Sequence, residues 1–539
     1  MRTIFSISIA VVLFCYSNTV KSQNSPFSIS MEEINIPNLG GLQAFAFGQH
    51  NGKWLIIGGR LDGLHQRQPF AAFDIAGHNS QLIVVDPVTK EKWSAPLTSL
   101  STSLQEQMKS TNMQFQQAGN YLYLTGGYGY STIANDHTTF ANLTAIDVPA
   151  TITAIIGNTP FASFFRQITD PQFQVTGGHL DKIYNTYYLV GGQKFIGRYN
   201  PMGPTSGPGF IQEYTEQIRR FKIIDNGTTL TVNHLASWTD AANLHRRDYN
   251  VAPQILPNGQ EGLTAYSGVF QPTVNLPFLN CVNIDSTNYQ VNNSFSQYYN
   301  HYHCANIPLY SATQNEMHNV FFGGIAQYYD NNGTLVQDND VPFVKTIARV
   351  TRDPNGIMTE YKLPIEMPSL LGAGSEFIPN ENLSRYSNDV IKLDDLTADS
   401  ALLGYIYGGI SSTALNIFFT NTGAQSIASS QIFKVYLLKN PLAIDELNVH
   451  STGSLKLVVF PNPNDGVFSV KYNLKRASDV KITLLSVDGK IVSDETFKNL
   501  RAGEHLFEEK SRKLRYIGSY LLKVETEYET AVQKIIIKE

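Results

Sequence analysis

The segment Tyr121-Leu122-Tyr123-Leu124-Thr125-Gly126-Gly127 is an apolar strand that ends in two glycines. The same pattern returns at residues 54–59, 187–192, 263–268, 319–324 and 404–409. The copy at 263–268 is degenerate, because Ser267 replaces its first glycine. The second glycines are 68, 65, 76, 56 and 85 residues apart. Repetition at such intervals indicates an array in which each repeat is one supersecondary unit.

Each copy lies between two further strand-like runs. Residues 44–48 precede the first copy, and residues 82–86 follow it and lead through a turn to Trp93. Short apolar runs bounded by turn residues are typical of antiparallel strands. The composition also favours β-structure, because aromatic residues reach 11% and charged residues only 16%. Each repeat is therefore predicted to be a four-stranded meander.

Glycine pairs inside repeated meanders resemble the kelch type of β-propeller, the type found in galactose oxidase. The resemblance covers residues 27–442 and implies an all-β, six-bladed ring. The glycines would let neighbouring backbones approach closely. The spacings exceed the roughly 50 residues of a kelch repeat, so long loops or insertions are expected. The structural glycines are Gly58, Gly59, Gly126, Gly127, Gly191, Gly192, Gly323, Gly324, Gly408 and Gly409.

The sequence also indicates how the first and last repeats are joined into a ring. The last repeat has one clear strand after its glycines, at residues 431–438, and the run 27–34 belongs to no repeat. We predict that residues 27–34 supply the outer strand of the last blade, because pairing there covers two open sheet edges.

The first 22 residues read as a signal peptide. Arg2 supplies a positive charge, residues 4–16 form an apolar run too short to span a bilayer comfortably, and a cut at Gln23 is expected. No later stretch has the length and apolar character of a transmembrane span.

Composition changes near residue 455. Residues 455–539 hold 15 Lys and Arg and 12 Asp and Glu, whereas residues 24–454 hold 23 and 33. The last 85 residues are therefore denser in charge and positive where the preceding part is negative, which marks a domain boundary. A linker is expected at 443–454.

The final segment carries PNPNDGVFSV at 461–470, VKITLLSVDGKIV at 480–492, GSYLLKV at 518–524 and QKIIIK at 533–538. These motifs resemble the type A sorting domain of the type IX secretion system, which implies a small immunoglobulin-like β-sandwich at 455–539. The resemblance further implies export to the surface of a Gram-negative bacterium or release from it, with the secretion machinery as a partner. An ordinary immunoglobulin-like adhesion domain is the alternative.

Two cysteines follow the signal peptide, Cys281 and Cys304. An even pair in an oxidising compartment predicts a disulfide, and two buried free thiols are the alternative. The net charge of −5 and the lack of a basic stripe argue against nucleic acid as a partner.

Ligands of a kelch-like ring meet the loops that follow the glycine pairs and the loops that precede each first strand. The predicted binding residues at these positions are Arg60, Tyr128, Gln193, Arg247, Asp248, His301 and His303. Arg246-Arg247-Asp248 could bind an anionic sugar or a carboxylate, or could bridge blades structurally. Other polar residues at such positions are His65, Tyr130, Asp170, Arg198, His245, Arg246 and Tyr302. The spacing His301-x-His303 suits a metal on a strand, but we expect neither a metal nor a cofactor.

Three functions remain open at this point. The first is a surface module that binds a glycan or a protein, because aromatic-rich loops with few charges suit sugar stacking. The second is an extracellular carbohydrate-active enzyme with its site at the channel mouth, and the third is a structural part of the cell surface. A galactose-oxidase-like copper site needs a Tyr–Cys cross-link, which a Cys281–Cys304 disulfide would prevent.

Overall fold

The computed structural model describes residues 26–203, 207, 209–331, 334–439, 447–448, 455, 457–462, 464, 466–486, 491–509 and 518–537. The signal peptide predicted at 1–22 and most of the linker predicted at 443–454 lie outside the described residues. The chain divides into two compact units, here called the body and the tail. The body holds the described residues of 27–440 with 447–448, and the tail those of 453–539.

The body consists of short strands with two α-helices. Its strands up to residue 239 are β1 (Ser28–Ile34), β2 (Ala46–His50), β3 (Lys53–Ile57), β4 (Gln81–Asp86), β5 (Glu91–Pro96), β6 (Gln114–Ala118), β7 (Tyr121–Thr125), β8 (Tyr128–Ser131), β9 (Asp136–Thr139), β10 (Asn142–Asp147), β11 (Phe165–Thr169), β12 (His179–Ile183), β13 (Thr186–Val190), β14 (Gln193–Ile196), β15 (Ile211–Tyr214), β16 (Gln217–Asp225) and β17 (Leu230–Thr239). The later strands are β18 (Asn250–Ile255), β19 (Glu261–Tyr266), β20 (Cys281–Ile284), β21 (Tyr289–Asn292), β22 (Asn306–Ser311), β23 (Glu316–Phe322), β24 (Tyr328–Asn331), β25 (Thr334–Gln337), β26 (Thr346–Arg352), β27 (Met358–Glu366), β28 (Leu370–Pro379), β29 (Ile391–Lys392), β30 (Ser400–Ser412), β31 (Ser426–Ala428), β32 (Ile432–Leu438) and β33 (Leu447–Asn448).

The helices are few and short. They are α1 (Thr102–Met108) and α2 (Val148–Ile156), with 3₁₀ turns at Pro69–Ala71, Ile75–Gly77, Leu97–Ser99, Ala162–Phe164, Pro171–Phe173 and Leu393–Asp395. α2 begins where Asp147 accepts a hydrogen bond from the N–H of Ala150 at 3.0 Å, a standard N-cap. None of the helices in the described part of the chain is long and apolar enough to cross a membrane.

Six antiparallel sheets follow one another along the body, each built on four strands in meander order. Sheets 1 to 6 contain β2-β3-β4-β5, β6-β7-β10-β11, β12-β13-β16-β17, β18-β19-β20-β21, β22-β23-β26-β27 and β28-β30-β32-β1. The short strands β29 and β33 extend sheet 5, and β31 pairs with β30 of sheet 6. Three insertions form two smaller sheets: β8-β9 and β14-β15 join in one, and β24-β25 form the other.

The predicted closure by the N-terminal strand is confirmed. β1 pairs antiparallel with β32 over seven residues, from Ser28 opposite Leu438 to Ile34 opposite Ile432. β1 is therefore the outer strand of a sheet whose other main strands come from residues 370–438.

The core is divided into layers between neighbouring sheets. Sheets 1 and 6, for example, share a cluster in which the rings of Trp54 and Tyr405 meet at 5.1 Å. Both faces of the second strand of each sheet are therefore covered. This explains why β3 and β7 read as continuous apolar runs rather than as alternating ones.

The glycine pairs lie where one sheet contacts the next. The N–H of Gly127 donates to Val175 O at 3.0 Å, and that of Gly409 donates to Leu42 O at 2.9 Å. A Cβ on Gly126 would lie 1.8 Å from Val175 O, with φ at +63°. Only glycine fits so close to the neighbouring backbone. The Gly409 contact joins sheet 6 to the segment before sheet 1 and so closes the series.

The predicted disulfide between Cys281 and Cys304 is wrong in this structure, where both cysteines are buried and free. They share one core cluster, but each thiol has a different neighbour. Cys281 Sγ lies 3.6 Å from Met358 Sδ, and Cys304 Sγ lies 3.7 Å from Asn250 Nδ2. The core packs the two thiols as small apolar groups instead of joining them.

The tail consists of two antiparallel sheets around a core of its own. Its strands are β34 (Val458–Phe460), β35 (Phe468–Leu474), β36 (Ser478–Ser486), β37 (Ile491–Leu500), β38 (Gly503–Glu509), β39 (Gly518–Thr526) and β40 (Thr530–Ile537). The sheet orders are β34-β35-β38 and β37-β36-β39-β40. Alternate residues of β35, such as Val470 and Tyr472, point into the core, as the period of a strand requires.

Candidate functional site

A closed ring of backbone hydrogen bonds lies at the first strands of the six sheets, with five members just before those strands and one, Gly374, within β28. We call it the peptide ring, and its members are Ala44, Asn112, Gly177, Asp248, His303 and Gly374. Each N–H donates to the carbonyl of one other member. The distances are 2.8 Å from Ala44 to Gly374, 3.1 Å from Asn112 to Ala44, 3.3 Å from Gly177 to Asn112, 2.7 Å from Asp248 to Gly177, 3.0 Å from His303 to Asp248 and 2.9 Å from Gly374 to His303. Since every member donates once and accepts once, the ring closes.

Most of the peptide ring has left-handed backbone. The φ angles are 51° at Ala44, 51° at Asn112, 65° at Gly177, 50° at Asp248 and 70° at Gly374. Left-handed backbone is uncommon outside glycine, and Asn and Asp tolerate it best. Four of these five residue types, Asn112, Gly177, Asp248 and Gly374, therefore suit the geometry, whereas Ala44 adopts it inside the closed set of hydrogen bonds.

Two cavities share the peptide ring. The loop cavity, about 240 Å³, is bounded by residues that precede the first strands and residues that follow the second strands. The channel cavity, about 450 Å³, is bounded mainly by the first strands and by the segments after them. Ala44, Asn112, Asp248 and His303 line both cavities, so the peptide ring lies between the two.

Six of the seven predicted binding residues line the loop cavity. They are Arg60, Tyr128, Gln193, Arg247, Asp248 and His303. The repeats explain this convergence, because backbone bridges join Gln43 to Arg60, Thr111 to Tyr128, Thr176 to Gln193 and Arg247 to Val269. Equivalent positions of successive sheets thus face the same space.

His301 lines neither cavity. It is fully buried, its Nε2 lies 2.8 Å from Gln297 O, and its Nδ1 accepts the N–H of Gln327 at 3.1 Å. Burial lowers the pKa of His301 to about 4. His301 and His303 are two residues apart, yet only His303 reaches a cavity. In the described part of the chain no group of three or more His, Cys, Asp and Glu is placed to hold a metal ion.

Two of the arginines named from the sequence, Arg246 and Arg60, already use most of their donors. Arg246 is buried and donates to Asn243 O at 2.6 Å and to Asn280 Oδ1 at 2.5 Å, so its role is structural. Arg60 makes a two-point contact with Asp62 and also donates to a loop carbonyl. Neither guanidinium is therefore well placed to bind a ligand.

Arg247 is the cation of the loop cavity. Its Nη1 contacts Asp248 Oδ2, its Nε donates to Tyr214 Oη at 3.0 Å, and its guanidinium lies 5.2 Å from the ring of Phe270. Burial lowers the pKa of Arg247, but Tyr214 and Asp248 outweigh that effect and hold the pKa above its usual value. Arg247 and Asp248 therefore present a fixed ion pair at the cavity wall.

The pKa values of two histidines that line the loop cavity are shifted in opposite directions. Burial, followed by the charge of Arg247, lowers the pKa of His65 to about 4, which keeps the ring neutral. Burial also lowers the pKa of His303, but the carboxylate of Glu376 at 3.1 Å outweighs it, and the pKa lies above its usual value. The environment of His303 thus favours the protonated imidazole, whereas that of His65 favours the neutral one.

Sequence reasoning missed most of the aromatic wall. The rings of Phe73, Phe195, Tyr199, Phe270 and Phe418 line the loop cavity together with the predicted Tyr128. Tyr199 packs at 4.8 Å from the ring of His65, which lies more than a hundred residues earlier in the chain. Apart from Phe195 on β14, these rings come from loops without periodicity, so no local pattern marked them.

Comparison with known proteins identifies the tail. Residues 458–538 match the family of secretion system C-terminal sorting domains. No curated protein matches the sequence.

Three solved structures are similar to the chain at about one identical residue in ten. YjhT is 10% identical with a TM-score of 0.39, and the match covers 74% of this chain and 98% of YjhT. A fungal alcohol oxidase of the AA5 family, in complex with copper, is 10% identical with a TM-score of 0.37, over 96% and 100% of the two chains. A glycoside hydrolase family 43 arabinoxylan arabinofuranohydrolase from Bacillus subtilis is 10% identical with a TM-score of 0.29, over 94% of each chain. Likeness at this level says nothing about activity.

Together, the sheets and the tail define an all-β protein with a β-propeller-like body and a type IX sorting domain. The sorting domain directs export by type IX secretion to the cell surface or extracellular space of a Bacteroidetes-type Gram-negative bacterium.

Proposed function

We propose that the exported chain is a six-bladed, kelch-like propeller whose loop cavity binds one sugar residue of an extracellular glycan. In this proposal residues 27–442 form the blades, and the tail is an immunoglobulin-like sandwich handled by the secretion machinery. The convergence of six predicted binding residues in one aromatic-walled cavity is the observation that carries the binding function.

The size of the loop cavity favours a small ligand. Its 240 Å³ lies below the roughly 300–1,000 Å³ of drug-sized ligand sites, which suits a group about as large as one sugar ring. Aromatic faces beside a few fixed polar groups are typical of such sites, and they suit the apolar faces and hydroxyls of a sugar ring. Arg247 and Asp248 offer hydroxyl groups both a donor and an acceptor.

Glycan-array screening followed by calorimetry on the chain without residues 1–22 tests this proposal. Arg247→Ala removes charged hydrogen bonds worth about 1.5–3 kcal/mol, so affinity for the glycan found should fall about 10- to 100-fold. Arg220→Ala is the matched control, because Arg220 stacks on Trp238 at 4.0 Å and lines neither cavity. Unchanged affinity in Arg247→Ala, with both variants folded, contradicts the proposal. A blank array would favour a protein partner.

A carbohydrate-active enzyme is the second candidate. His303 and Asp248 are adjacent in the peptide ring, and the carboxylate of Glu376 raises the pKa of His303, which favours an imidazolium that can act as a general acid. Release of reducing ends from a polysaccharide that the array identifies would favour catalysis, and Asp248→Asn should abolish the release. Binding without any release leaves the protein a binding module.

A further inference from the structure

The channel cavity is nearly twice the volume of the loop cavity, and the binding function proposed above does not use it. At 450 Å³ it falls within the roughly 300–1,000 Å³ of small-molecule sites. Its aromatic part includes Phe47, Phe115 and Phe377, with the first two rings 5.3 Å apart. Side-chain amides of Gln49 and Gln116 lie along the same wall. Aromatic faces and amides together suit a ligand with apolar faces and hydroxyl edges.

The basic groups that line the channel cavity are already paired. Glu376 Oε1 lies 3.1 Å from His303 Nε2, and Asp389 Oδ1 lies 3.1 Å from Arg385 Nη1. Glu381 accepts a hydrogen bond from the backbone N–H of Gly52. His303 and Arg385 thus already face carboxylates, so an anionic ligand would find no unpaired cation among the lining residues. The wall therefore favours a neutral ligand.

Two buried polar groups on the same wall keep hydrogen-bonding capacity unused. Asn388 is 1% exposed, and its Nδ2 donates to Gln254 O at 2.9 Å. Its Oδ1 has no partner within the described chain. An unpaired buried oxygen costs free energy comparable to a lost hydrogen bond unless a ligand or water satisfies it.

Asp181 is the second group. It is 8% exposed, and its Oδ1 accepts the N–H of Lys182 at 2.7 Å. Burial, reinforced by Asp389 and Glu261, raises the pKa of Asp181 to about 8. The carboxyl is therefore protonated near neutral pH, and it can donate to a hydroxyl as well as accept from one.

From this wall we infer that the channel cavity is a second ligand site, which takes a neutral saccharide of one or two rings with Asp181, Asn388 and Phe377 as its main contacts. The site is independent of the loop cavity, because the peptide ring lies between the two. The same chemistry is offered by a free sugar and by the end of a polysaccharide chain.

The test is calorimetry at pH 7 on the chain without residues 1–22. The probes are glucose, galactose, mannose and xylose, the β1,4-linked disaccharides of glucose and xylose, and cellotetraose. At least one probe should bind, and Asp181→Ala and Phe377→Ala should each weaken binding at least tenfold. Asp181→Ala keeps the backbone pairing of β12 with Tyr188 and removes a carboxyl that burial disfavours, so this variant should fold. Glu91→Ala, on an exposed edge-strand residue, is the control and should bind as the wild type does.

The outcomes separate the two sites. Binding lost in Asp181→Ala and kept in Arg247→Ala supports the channel site even if the loop cavity binds no sugar. Binding lost only in Arg247→Ala, or no binding of any probe, overturns the inference. Cellotetraose that binds as tightly as cellobiose identifies a chain end as the ligand, whereas preference for the free sugar identifies a small solute.

Discussion

Closure of the body by β1 predicts a large loss of stability from two buried side chains at the N-terminus. Phe27 and Ile29 are 1% and 3% exposed and pack in the core between sheets 5 and 6. The Phe27 ring meets that of His318 edge-on at 5.4 Å. Phe→Ala costs about 3–5 kcal/mol in a core and Ile→Ala about 2–5 kcal/mol. The double variant Phe27→Ala/Ile29→Ala should therefore lose at least about 5 kcal/mol, which rivals the whole stability of a typical domain.

Urea denaturation followed by tryptophan fluorescence measures this loss, and hydrogen exchange shows where it occurs. Amides of β32 should lose protection first, because β1 is their hydrogen-bonding partner. Glu33→Ala is the control, since Glu33 is an exposed residue of the same strand and its change should cost less than about 0.5 kcal/mol.

A double variant that unfolds at the wild-type urea concentration would refute the reasoning. In that case the last sheet would be stable without its N-terminal strand. An insoluble double variant beside a soluble Glu33→Ala protein agrees with the prediction.

Two further predictions concern buried titratable groups. The pKa of Asp181 is about 8 in the folded chain, against the usual 3.8 of an aspartate, so the folded state retains a proton that the unfolded state releases. The stability that Asp181 contributes is therefore full below about pH 4 and is lost as the pH rises towards 8. In thermal denaturation, Asp181→Asn should be as stable as the wild type at pH 4 and more stable by on the order of a few kcal/mol at pH 8. Equal stability of the two proteins at both pH values would contradict this. Burial raises the pKa of both Cys281 and Cys304 to about 12, so the chain purified without reductant should react with a thiol reagent only after denaturation, at both cysteines. No reaction after denaturation would indicate the disulfide instead.

The sequence by itself determined the features that rest on local chemistry. Apolar runs ending in glycine pairs marked the second strands, because close backbone contact requires glycine wherever it occurs. The strand at 27–34 belonged to no repeat, and the last repeat lacked one strand. The two were therefore expected to pair, because an exposed sheet edge needs a partner. The tail was readable because its motifs and its change in charge lie within one continuous segment.

The tertiary structure alone decided which side chains share a cavity. His301 and His303 look alike in sequence, yet one is buried in the core and the other lies between two cavities. Tyr199 and Phe270 reach the loop cavity from loops without periodicity, and Asp181 and Asn388 line the channel cavity from segments distant in sequence. The Cys281 and Cys304 thiols likewise took different neighbours inside one core cluster. The physical reason is that these side chains come from segments far apart in the sequence. The distances between them are set by how the six sheets pack against one another, and the spacing of residues along the chain does not encode that packing.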